Sequence, residues 1–522
     1  MSDSPNPWTV PESWTWVPIG EVAKVIGGGT PPTSDASNFD DGTVPWVTPA
    51  DLSGYSEKYI GQGSRNITAA GLENSGARIL PRGTVLFSSR APIGYVAIAS
   101  NPLATNQGFK SFVLPRDIDP EYVFYFLQRA KGLAIGLASG TTFQEISGRQ
   151  AAKIPLTIAP TREQHRIVEA IESYLTRIDD AIATLERVQR NLKRYRASVL
   201  KAAVEGRLVP TEAELARAEG RSYEPASVLL ERILVERRRR WEEAELAKLK
   251  AKGKSPKDDR WKARYMEPAG PPYTDLPELP EGWCWATVDQ LERGDRRSAY
   301  GVLVPGPDVP SGVPFVRVGD INGGRIDVRQ MKRIERKIAD SFAKTYLEGG
   351  EVLLTLVGTI GRTAVVPPAL AGSNVARAVG VIPASDLVDP HWIESWFRSP
   401  ATRALMIGKA HEVARKTLNL EDVRAAHVAL PPRSEQSRII RALDDDESTS
   451  AATSVAIDTS LRRSARLRQS ILKWAFEGRL VDQDPTDEPA AHLLERIRAE
   501  RESTSDNPKR RPRRAKATSA KS

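Results

Sequence analysis

The chain has 522 residues, of which 40% are hydrophobic, with a formal net charge of +9, a pI near 9.4 and one cysteine, Cys284. This length predicts two to four domains with real cores, and a single cysteine excludes a disulfide framework or a cysteine-rich zinc site. With no apolar run near 18 residues and no signal-peptide layout, we expect a soluble, cytoplasmic protein without a membrane segment; the basic charge favours a polyanionic partner without requiring one.

Residues 1–160 form the first predicted domain, which is rich in β-formers, glycine and proline. Its short apolar runs bounded by glycines, such as Val85–Phe87, predict strands joined by turns. Apolar residues then recur at spacings of three and four from Ile167 to Val199, which predicts one long helix over 161–205 within a helical region spanning 161–250. Thr161 and Gln164 resemble a capping box at its start, and Gly206 is a typical stop.

Four more segments follow before the C-terminus. A Lys-, Pro- and Gly-rich stretch, 251–279, predicts a linker, and residues 280–432 predict a second β-rich domain. A second helical region spans 433–502, with a helix from about 434 to 477 whose apolar seam is interrupted by four acidic residues at 444–447. The basic tail, 503–522, has too few apolar residues to predict a fold.

The decisive feature is an internal repeat. Pro11 begins a Pro-Glu-x-Trp-x-Trp sequence that returns 269 positions later at Pro280, and Gly83 begins a strand segment that returns 267 positions later at Gly350. Residues 205–209, Glu-Gly-Arg-Leu-Val, return unchanged at 477–481. Several matches in one order at nearly one offset indicate a tandem duplication of about 270 residues.

The duplication predicts the fold class, α+β. A helix of 45 residues would be roughly 65 Å long and has to pack against something, and its own copy is the obvious mate. We expect the two β-rich domains to be arranged pseudo-symmetrically about a long antiparallel two-helix coiled coil, a symmetry that duplex DNA shares. The alternative is a helical hairpin that only holds a two-domain enzyme together.

The order domain, helix, domain, helix carries a family resemblance. Leu279–Trp285 opens the second unit, Glu-Gly-Arg-Leu-Val ends each helix, and Pro160–Gln164 and Pro432–Gln436 mark the domain–helix junctions. This pattern, covering about Trp8 to Arg501, resembles the DNA-specificity subunit of a Type I restriction–modification system. The resemblance implies two target-recognition domains that read an asymmetric bipartite site in double-stranded DNA. It also implies assembly with two methyltransferase subunits and with restriction (translocase) subunits.

No motif for catalysis stands out in the sequence. The Asn/Asp-Pro-Pro-Tyr/Phe segment of amino-methyltransferases is missing, and Lys248 stands where a P-loop needs its first glycine. Asp308, Glu335 and Lys337 fit a loose nuclease pattern that arises easily by chance. The five histidines show no metal-ligand spacing. We therefore expect no catalytic centre, metal or cofactor in this chain; by the resemblance, S-adenosylmethionine belongs to the methyltransferase, and ATP and Mg to the restriction subunit.

The candidate DNA-binding residues are polar or basic side chains in loops of the two domains. Arginine can pair with guanine and Asn or Gln with adenine, although the same residues also satisfy turn backbones. In the first domain they are Thr48, Ser89, Arg90, Asn106, Gln107, Lys110, Thr141, Thr142 and Gln144. In the second they are Arg317, Thr359, Arg362, Asn374, Arg377, His411, Arg415 and Lys416.

Two other functions remain open from the sequence alone. A standalone coiled-coil DNA-binding regulatory protein would need no subunits, and a nuclease or methyltransferase would need an active site of its own. The segment around Leu229–Ile233, with arginines at 237–240, repeats around Leu493–Ile497. The resemblance places the subunit-docking region here, which implies a face for partner subunits rather than packing within the chain.

Overall fold

The computed structural model describes residues 6–90, 92–140, 144–256, 258–272, 276–412 and 416–505. The chain combines helices and strands, as predicted, and divides into a first unit (1–186 and 458–522) and a second unit (187–457). Within the described ranges, no helix is both long enough and apolar enough to cross a lipid bilayer. Most of the predicted basic tail lies outside the described residues.

The strands of the first unit are short, with two to four residues each. They are β1 (Thr15–Pro18), β2 (Lys24–Gly27), β3 (Trp46–Val47), β4 (Tyr59–Ile60), β5 (Val85–Phe87), β6 (Val96–Ala99), β7 (Ala104–Thr105), β8 (Lys110–Val113) and β9 (Pro155–Ile158). The helices between them are α1 (Ile19–Val22), α2 (Ala69–Glu73), α3 (Pro120–Arg129), α4 (Lys131–Gly136) and α5 (Gly148–Ala151).

A five-stranded sheet in the order β2-β8-β5-β6-β4 forms the centre of this domain. Its pairs are antiparallel except β4 with β6, and β1–β9 and β3–β7 form separate two-stranded ribbons. The aromatic side chains Phe87, Phe112, Tyr122 and Phe126 are fully buried, so strand and helix residues share one core. This core holds the loops at the strand ends in place.

The second unit begins inside the first long helix, α6 (Thr161–Val204), and continues with α7 (Glu212–Glu219) and α8 (Ala226–Ala251). Its strands are β10 (Cys284–Thr287), β11 (Ala299–Tyr300), β12 (Val313–Val316), β13 (Ile321–Asn322), β14 (Arg325–Ile326), β15 (Lys332–Ile334), β16 (Val352–Thr355), β17 (Thr363–Val365), β18 (Asn374–Val375), β19 (Val379–Ile382), β20 (His411–Glu412), β21 (Lys416–Thr417) and β22 (His427–Leu430). The helices of the domain are α9 (Val288–Leu291), α10 (Arg336–Ser341), α11 (Pro390–Arg398), α12 (Pro400–Lys409) and α13 (Leu420–Arg424), followed by the second long helix, α14 (Arg433–Phe476), and α15 (Ala490–Ser505).

The strand order of the first domain recurs in the second. The sheet β11-β19-β16-β17 matches β2-β8-β5-β6, the parallel pair β12–β18 matches β3–β7, and β10–β22 matches β1–β9. Positions that hold the same place in these registers are called equivalent below. The duplication detected in the sequence is therefore also present in the fold.

The two long helices each span 44 residues, close to the predicted bounds, and each divides between the two units. In the first unit, Ile167 and Ile171 share a core with Ile471 and Phe476, whereas Asp179 further along pairs with Arg468. Residue numbers rise on one helix as they fall on the other, so the two segments run antiparallel in this unit.

The same antiparallel packing is present in the second unit. Leu200 shares a core with Leu443, whereas the earlier Arg196 donates to the hydroxyl of the later Ser454 (3.4 Å). The predicted apolar seam is wrong in part: Val188 is 40% exposed, Tyr195 52% and Val455 66%, because two paired helices cannot cover every apolar position of a long stripe.

Each long helix ends at a glycine in the left-handed conformation. Gly206 and Gly478 both have φ of +67°, and the next amide in each case, Arg207 and Arg479, donates to a helix carbonyl at 2.8 Å. A Cβ at Gly478 would lie 2.2 Å from Cγ of Pro11, and one at Gly206 would lie 2.5 Å from Cγ of Pro280. The two repeated motifs therefore contact each other, and both glycines are required by conformation and by space.

The partner face predicted around Leu229 and Leu493 is wrong for the apolar residues. Leu229 and Ile233 belong to the core of the second unit, and Leu493 and Ile497 to that of the first. Burying a leucine in a core stabilises the fold by about 2 kcal/mol. Because these side chains are already buried within each unit, they are not available to contact a partner subunit.

The arginine run on α8 is matched by carboxylates within the second unit. Arg237 pairs with Asp289 at 2.9 Å, and Arg240 pairs with Glu236 at 2.8 Å. Arg238 and Arg239 pair with acidic residues on the same helix. This run is therefore an ion-pair network rather than a free phosphate-binding surface.

Candidate nucleic-acid interface

In each unit, the Glu-Gln pair of the repeated junction motif forms hydrogen bonds that join the domain to the start of its long helix. In the first unit, Trp14 Nε1 donates to Glu163 Oε2 at 3.0 Å. The Gln164 amide accepts from the backbone N–H of Asp119 (3.1 Å) and donates to the carbonyl of Ala159 (2.8 Å). The predicted capping box is wrong, because the Gln164 side chain spans these two backbone groups instead of reaching back to Thr161.

The second unit repeats this junction. Trp283 Nε1 donates to Glu435 Oε1 at 2.9 Å, and the Gln436 amide joins the N–H of Asp389 (2.9 Å) to the carbonyl of Pro431 (2.9 Å). Burial raises the pKa of both junction carboxyls, Glu163 and Glu435, while their hydrogen bonds oppose the shift. The sequence revealed the motif as a repeat, but its hydrogen-bonding role needed the fold.

In the first domain, four segments meet at one end of the sheet and form a surface that we call the loop edge. The N–H of Ser89, in the β5–β6 loop, donates to the carbonyl of Gly108 in the β7–β8 loop at 2.7 Å. The N–H of Ile146 donates to the carbonyl of Ser89 at 3.0 Å, which adds the segment before α5. Gly29, after β2, completes the edge by donating to the carbonyl of Thr105 at 2.9 Å.

The second domain has the same loop edge, bond for bond. The N–H of Leu356, at the start of the β16–β17 loop, donates to Ala378 O at 2.8 Å, and Leu418 N–H donates to Leu356 O at 2.9 Å. Val302, after β11, donates to Val375 O at 2.8 Å. The two edges therefore share one backbone frame.

In each domain, a buried hydroxyl at the end of β5 or β16 forms hydrogen bonds with the loop that follows the strand. Ser88 Oγ donates to Pro92 O and accepts from the N–H of Tyr95, both at 2.7 Å. The equivalent Thr355 Oγ1 donates to Thr359 O at 2.5 Å and accepts from the N–H of Arg362 at 2.9 Å. In each domain, one hydroxyl therefore bonds to two backbone groups of the loop that follows it.

Most of the candidate residues of the first domain lie at its loop edge. Arg90 and Lys110 approach Glu145 at 3.7 and 3.9 Å, Gln107 and Gln144 are exposed, and burial lowers the pKa of the Lys110 ammonium. Three candidates make structural bonds there, and two lie outside the described residues. The structural three are Thr48, which caps a turn through Asp51; Ser89, which donates to Gly108 O; and Asn106, which accepts from the N–H of Gly108. Those outside are Thr141 and Thr142.

In the second domain, Thr359 and Arg377 are exposed on the edge and Arg362 is partly exposed. Lys416 is close to them, because its carbonyl accepts from the N–H of Gly358 at 3.2 Å. The backbone of His411 lies on the neighbouring strand β20, and Arg415 lies outside the described residues.

Two candidates of the second domain are engaged within it. Asn374 is fully buried, and its Oδ1 accepts from Thr345 Oγ1 at 2.7 Å. Arg317 forms a bidentate pair with Asp320 through Nε (3.1 Å) and Nη2 (2.9 Å). We therefore leave Asn374 and the equally buried Ser89 out of the proposed DNA contact.

One carboxylate of the loose nuclease pattern, Asp308, is engaged by the backbone. Asp308 Oδ1 accepts from the backbone N–H of Arg333 at 2.9 Å, which is a turn-stabilising bond. Within the ranges that the structure describes, no group of three or more His, Cys, Asp or Glu side chains could hold a metal ion.

Comparison with known protein families identifies the Type I restriction modification DNA specificity domain over residues 11–190. The chain is 27% identical to the Type I restriction enzyme EcoBI specificity subunit of Escherichia coli, over 94% of this chain and 93% of that protein. It is 36% identical to the MjaIX specificity subunit of Methanocaldococcus jannaschii over 37% of this chain and 44% of that protein.

Two solved structures share the fold. The HsdS subunit from Thermoanaerobacter tengcongensis aligns with a TM-score of 0.53 at 17% identity, covering 91% of this chain and 99% of that one. A chain from work on complex assembly and conformational transition of the type I R-M system aligns with a TM-score of 0.57, also at 17% identity, covering 91% and 100%.

Proposed function

We propose that the chain is a DNA-specificity subunit of the Type I restriction–modification class and that its two loop edges each read one half of an asymmetric, bipartite DNA target. One observation carries this proposal: the edges share a backbone frame but expose different side chains. A shared frame suits two copies of one docking geometry, and different side chains suit two different half-sites. As in its relatives, which are named specificity subunits, the role is recognition rather than catalysis.

The exposed residues have the chemistry for base reading in a major groove. Gln107 and Gln144 of the first edge carry amides, whereas Arg362, Arg377 and Lys416 of the second carry positive charge. Amides pair with adenine and arginine with guanine, while lysine suits phosphate. The remaining candidates, Arg90, Lys110, Thr359 and His411, extend the proposed contact around these residues.

We further propose that the two domains are arranged pseudo-symmetrically about an antiparallel coiled coil of α6 and α14, which would set the spacer between the half-sites. The antiparallel packing inside each unit and the equal lengths of the helices support this arrangement. Inserting seven residues into both helices should lengthen the tolerated spacer in the methylated motif; an unchanged spacer would contradict it.

The proposed partners are double-stranded DNA, two methyltransferase subunits and restriction (translocase) subunits. The chain itself would bind no cofactor: the methyltransferase would hold S-adenosylmethionine and flip the target base, and the restriction subunit would use ATP and Mg. The names of the relatives, as specificity subunits of Type I restriction enzymes, support this division of labour.

The test is methylation-site sequencing of DNA from cells that express the genomically adjacent methyltransferase with or without this chain. We expect a split motif only when the chain is present. Absence of methylation, or methylation of one contiguous site without the chain, would contradict the proposed function.

A further inference from the structure

The β7–β8 loop of the first domain presents one exposed amide at the centre of the loop edge. Gly29 anchors the loop by donating to Thr105 O, and Gln107 lies two residues later with its side chain exposed. The Thr30 hydroxyl donates to Gln107 Oε1, which orients the amide. A carbonyl oxygen has two lone pairs, so Oε1 can still accept a second hydrogen bond.

The equivalent position of the second domain holds an arginine. Val302 anchors the loop by donating to Val375 O, and Arg377 lies two residues later, with its own N–H donating to Val302 O at 2.8 Å. Leu303 replaces the threonine, so no hydroxyl orients the side chain here. The guanidinium instead lies 5.9 Å from the ring centroid of Tyr300, within cation–π range.

Arg377 differs from its neighbours in what its guanidinium contacts. Arg317 is bound to Asp320, and Arg362 donates to the carbonyl of Ile321. Across the described part of the chain, no carboxylate forms an ion pair with Arg377. An exposed guanidinium without an acidic partner keeps its donors available for a planar acceptor pair.

We propose that these equivalent positions select one base each: Gln107 pairs with an adenine in the first half-site, and Arg377 pairs with a guanine in the second. Glutamine would accept from adenine N6 through Oε1 and donate to N7, whereas arginine would donate to both N7 and O6 of guanine. This inference rests on the proposed function and assigns a base to a named position in each half.

The test uses the full chain with its methyltransferase and compares wild type with Gln107→Arg, Arg377→Gln and the double variant. The motif is determined by methylation sequencing, and the Kd of the purified complex is measured on duplexes with each base in turn at the affected position. We expect Gln107→Arg to change one adenine of the first half toward guanine, and Arg377→Gln to change one guanine of the second half toward adenine. Preference for the cognate base should change by about 5- to 150-fold.

Matched controls separate this effect from charge alone. Gln128→Arg adds the same charge at an exposed position of α3, and Arg329→Gln removes an exposed arginine that pairs with Asp327. Both should keep the wild-type motif. An unchanged motif in the test variants, or equal weakening of Kd on every duplex, would overturn the inference while leaving the proposed function standing. If wild type itself methylates no split motif, the proposed function fails first.

Discussion

The domain–helix junction and the loop edge each occur twice in this chain, and they have diverged very differently. At the junction the same residue types make the same bonds: Trp14 to Glu163 in one copy, and Trp283 to Glu435 in the other. At the edge the backbone bonds match, but the exposed side chains do not. The comparison indicates which parts of the duplicated unit are constrained by folding and which are free to carry specificity.

The physical reason lies in burial. A buried tryptophan N–H or glutamine amide that loses its partner costs about 1 to 3 kcal/mol, so neither partner can change alone. An exposed loop side chain has water as an alternative partner, and a surface substitution usually changes stability by less than about 0.5 kcal/mol. The edge can therefore vary while the frame beneath it stays fixed.

The largest expected effect comes from the glycines that end the long helices. In Gly478→Ala, a left-handed alanine costs about 1 to 2 kcal/mol and the clash of its Cβ with Pro11 adds about 1 to 3. Gly220→Ala is the matched control, since Gly220 has φ of +64° and no atom within 4 Å of the added Cβ. In urea unfolding, the control should lose only the conformational cost, about 1 to 2 kcal/mol of the free energy of unfolding. Equal losses in both variants would mean that the proline contact is unimportant.

The junction glutamines should have the next largest effect, and nearly the same effect in both copies. Gln164→Leu leaves the buried carbonyl of Ala159 without its partner, and Gln436→Leu does the same at Pro431. Each should lower the free energy of unfolding by about 2 to 3 kcal/mol, measured by urea denaturation. Gln62→Leu, at an exposed position, is the control. A clearly unequal pair of losses would break the equivalence of the two junctions.

The same contrast explains what the sequence could predict. The duplication, the bounds of both long helices and their glycine stops were predictable, because they depend on periodicity and on local chain conformation. The edge was located through its polar loop residues, but the roles of individual side chains were not. Ser89 and Asn374 are polar loop residues in the sequence, and only the fold reveals that both are buried.

The misassigned partner face has a similar cause. Leu229 and Ile233 form an apolar stripe that the sequence cannot assign to an internal or an external partner. Whether the stripe is buried inside the protein depends on which core lies beside α8, and that depends on contacts between residues far apart in the chain. The capping interpretation of Gln164 failed for the same reason, since one of its bonding partners, Asp119, lies 45 residues earlier in the chain.

A third prediction concerns a core position where the two domains differ. Glu292 of the second domain is buried, whereas the equivalent residue of the first is Ala23. Burial raises the pKa of the Glu292 carboxyl to about 7, with Asp289 adding to the shift and Ser298 and Arg424 opposing it. Between the ordinary pKa of 4.5 and about 7, the folded protein binds more protons than the unfolded chain, so stability falls as pH rises through this window.

Glu292→Gln removes this titration and keeps the shape of the side chain. The variant should be more stable than wild type by about 2 to 3 kcal/mol at pH 8, with the difference vanishing below about pH 4. Urea unfolding across this pH range is the measurement, with Glu278→Gln, at an exposed position, as control. A constant difference at all pH values would show that Glu292 does not titrate in this window.

The smallest expected effect on stability is at the edge, at a position where the first domain carries an acid and the second a threonine. Glu145 approaches Arg90 and Lys110, while its equivalent is Thr417. Glu145→Gln should change the free energy of unfolding by less than about 0.5 kcal/mol, since exposed ion pairs contribute little. Removing one negative charge should instead tighten target DNA binding by about 2- to 5-fold at low salt, and less at high salt.

Fluorescence anisotropy of the assembled complex on its target duplex, at two salt concentrations, measures this effect, with Glu73→Gln on α2 as a charge-matched control. Tighter binding for Glu145→Gln alone would mean that the carboxylate weakens the attraction of Arg90 and Lys110 for DNA. The first edge would then carry less positive charge toward DNA than the second. Weaker binding would mean that Glu145 holds Arg90 and Lys110 in the orientation that DNA needs. The first outcome makes charge a difference between the two edges, and the second makes it part of their common frame.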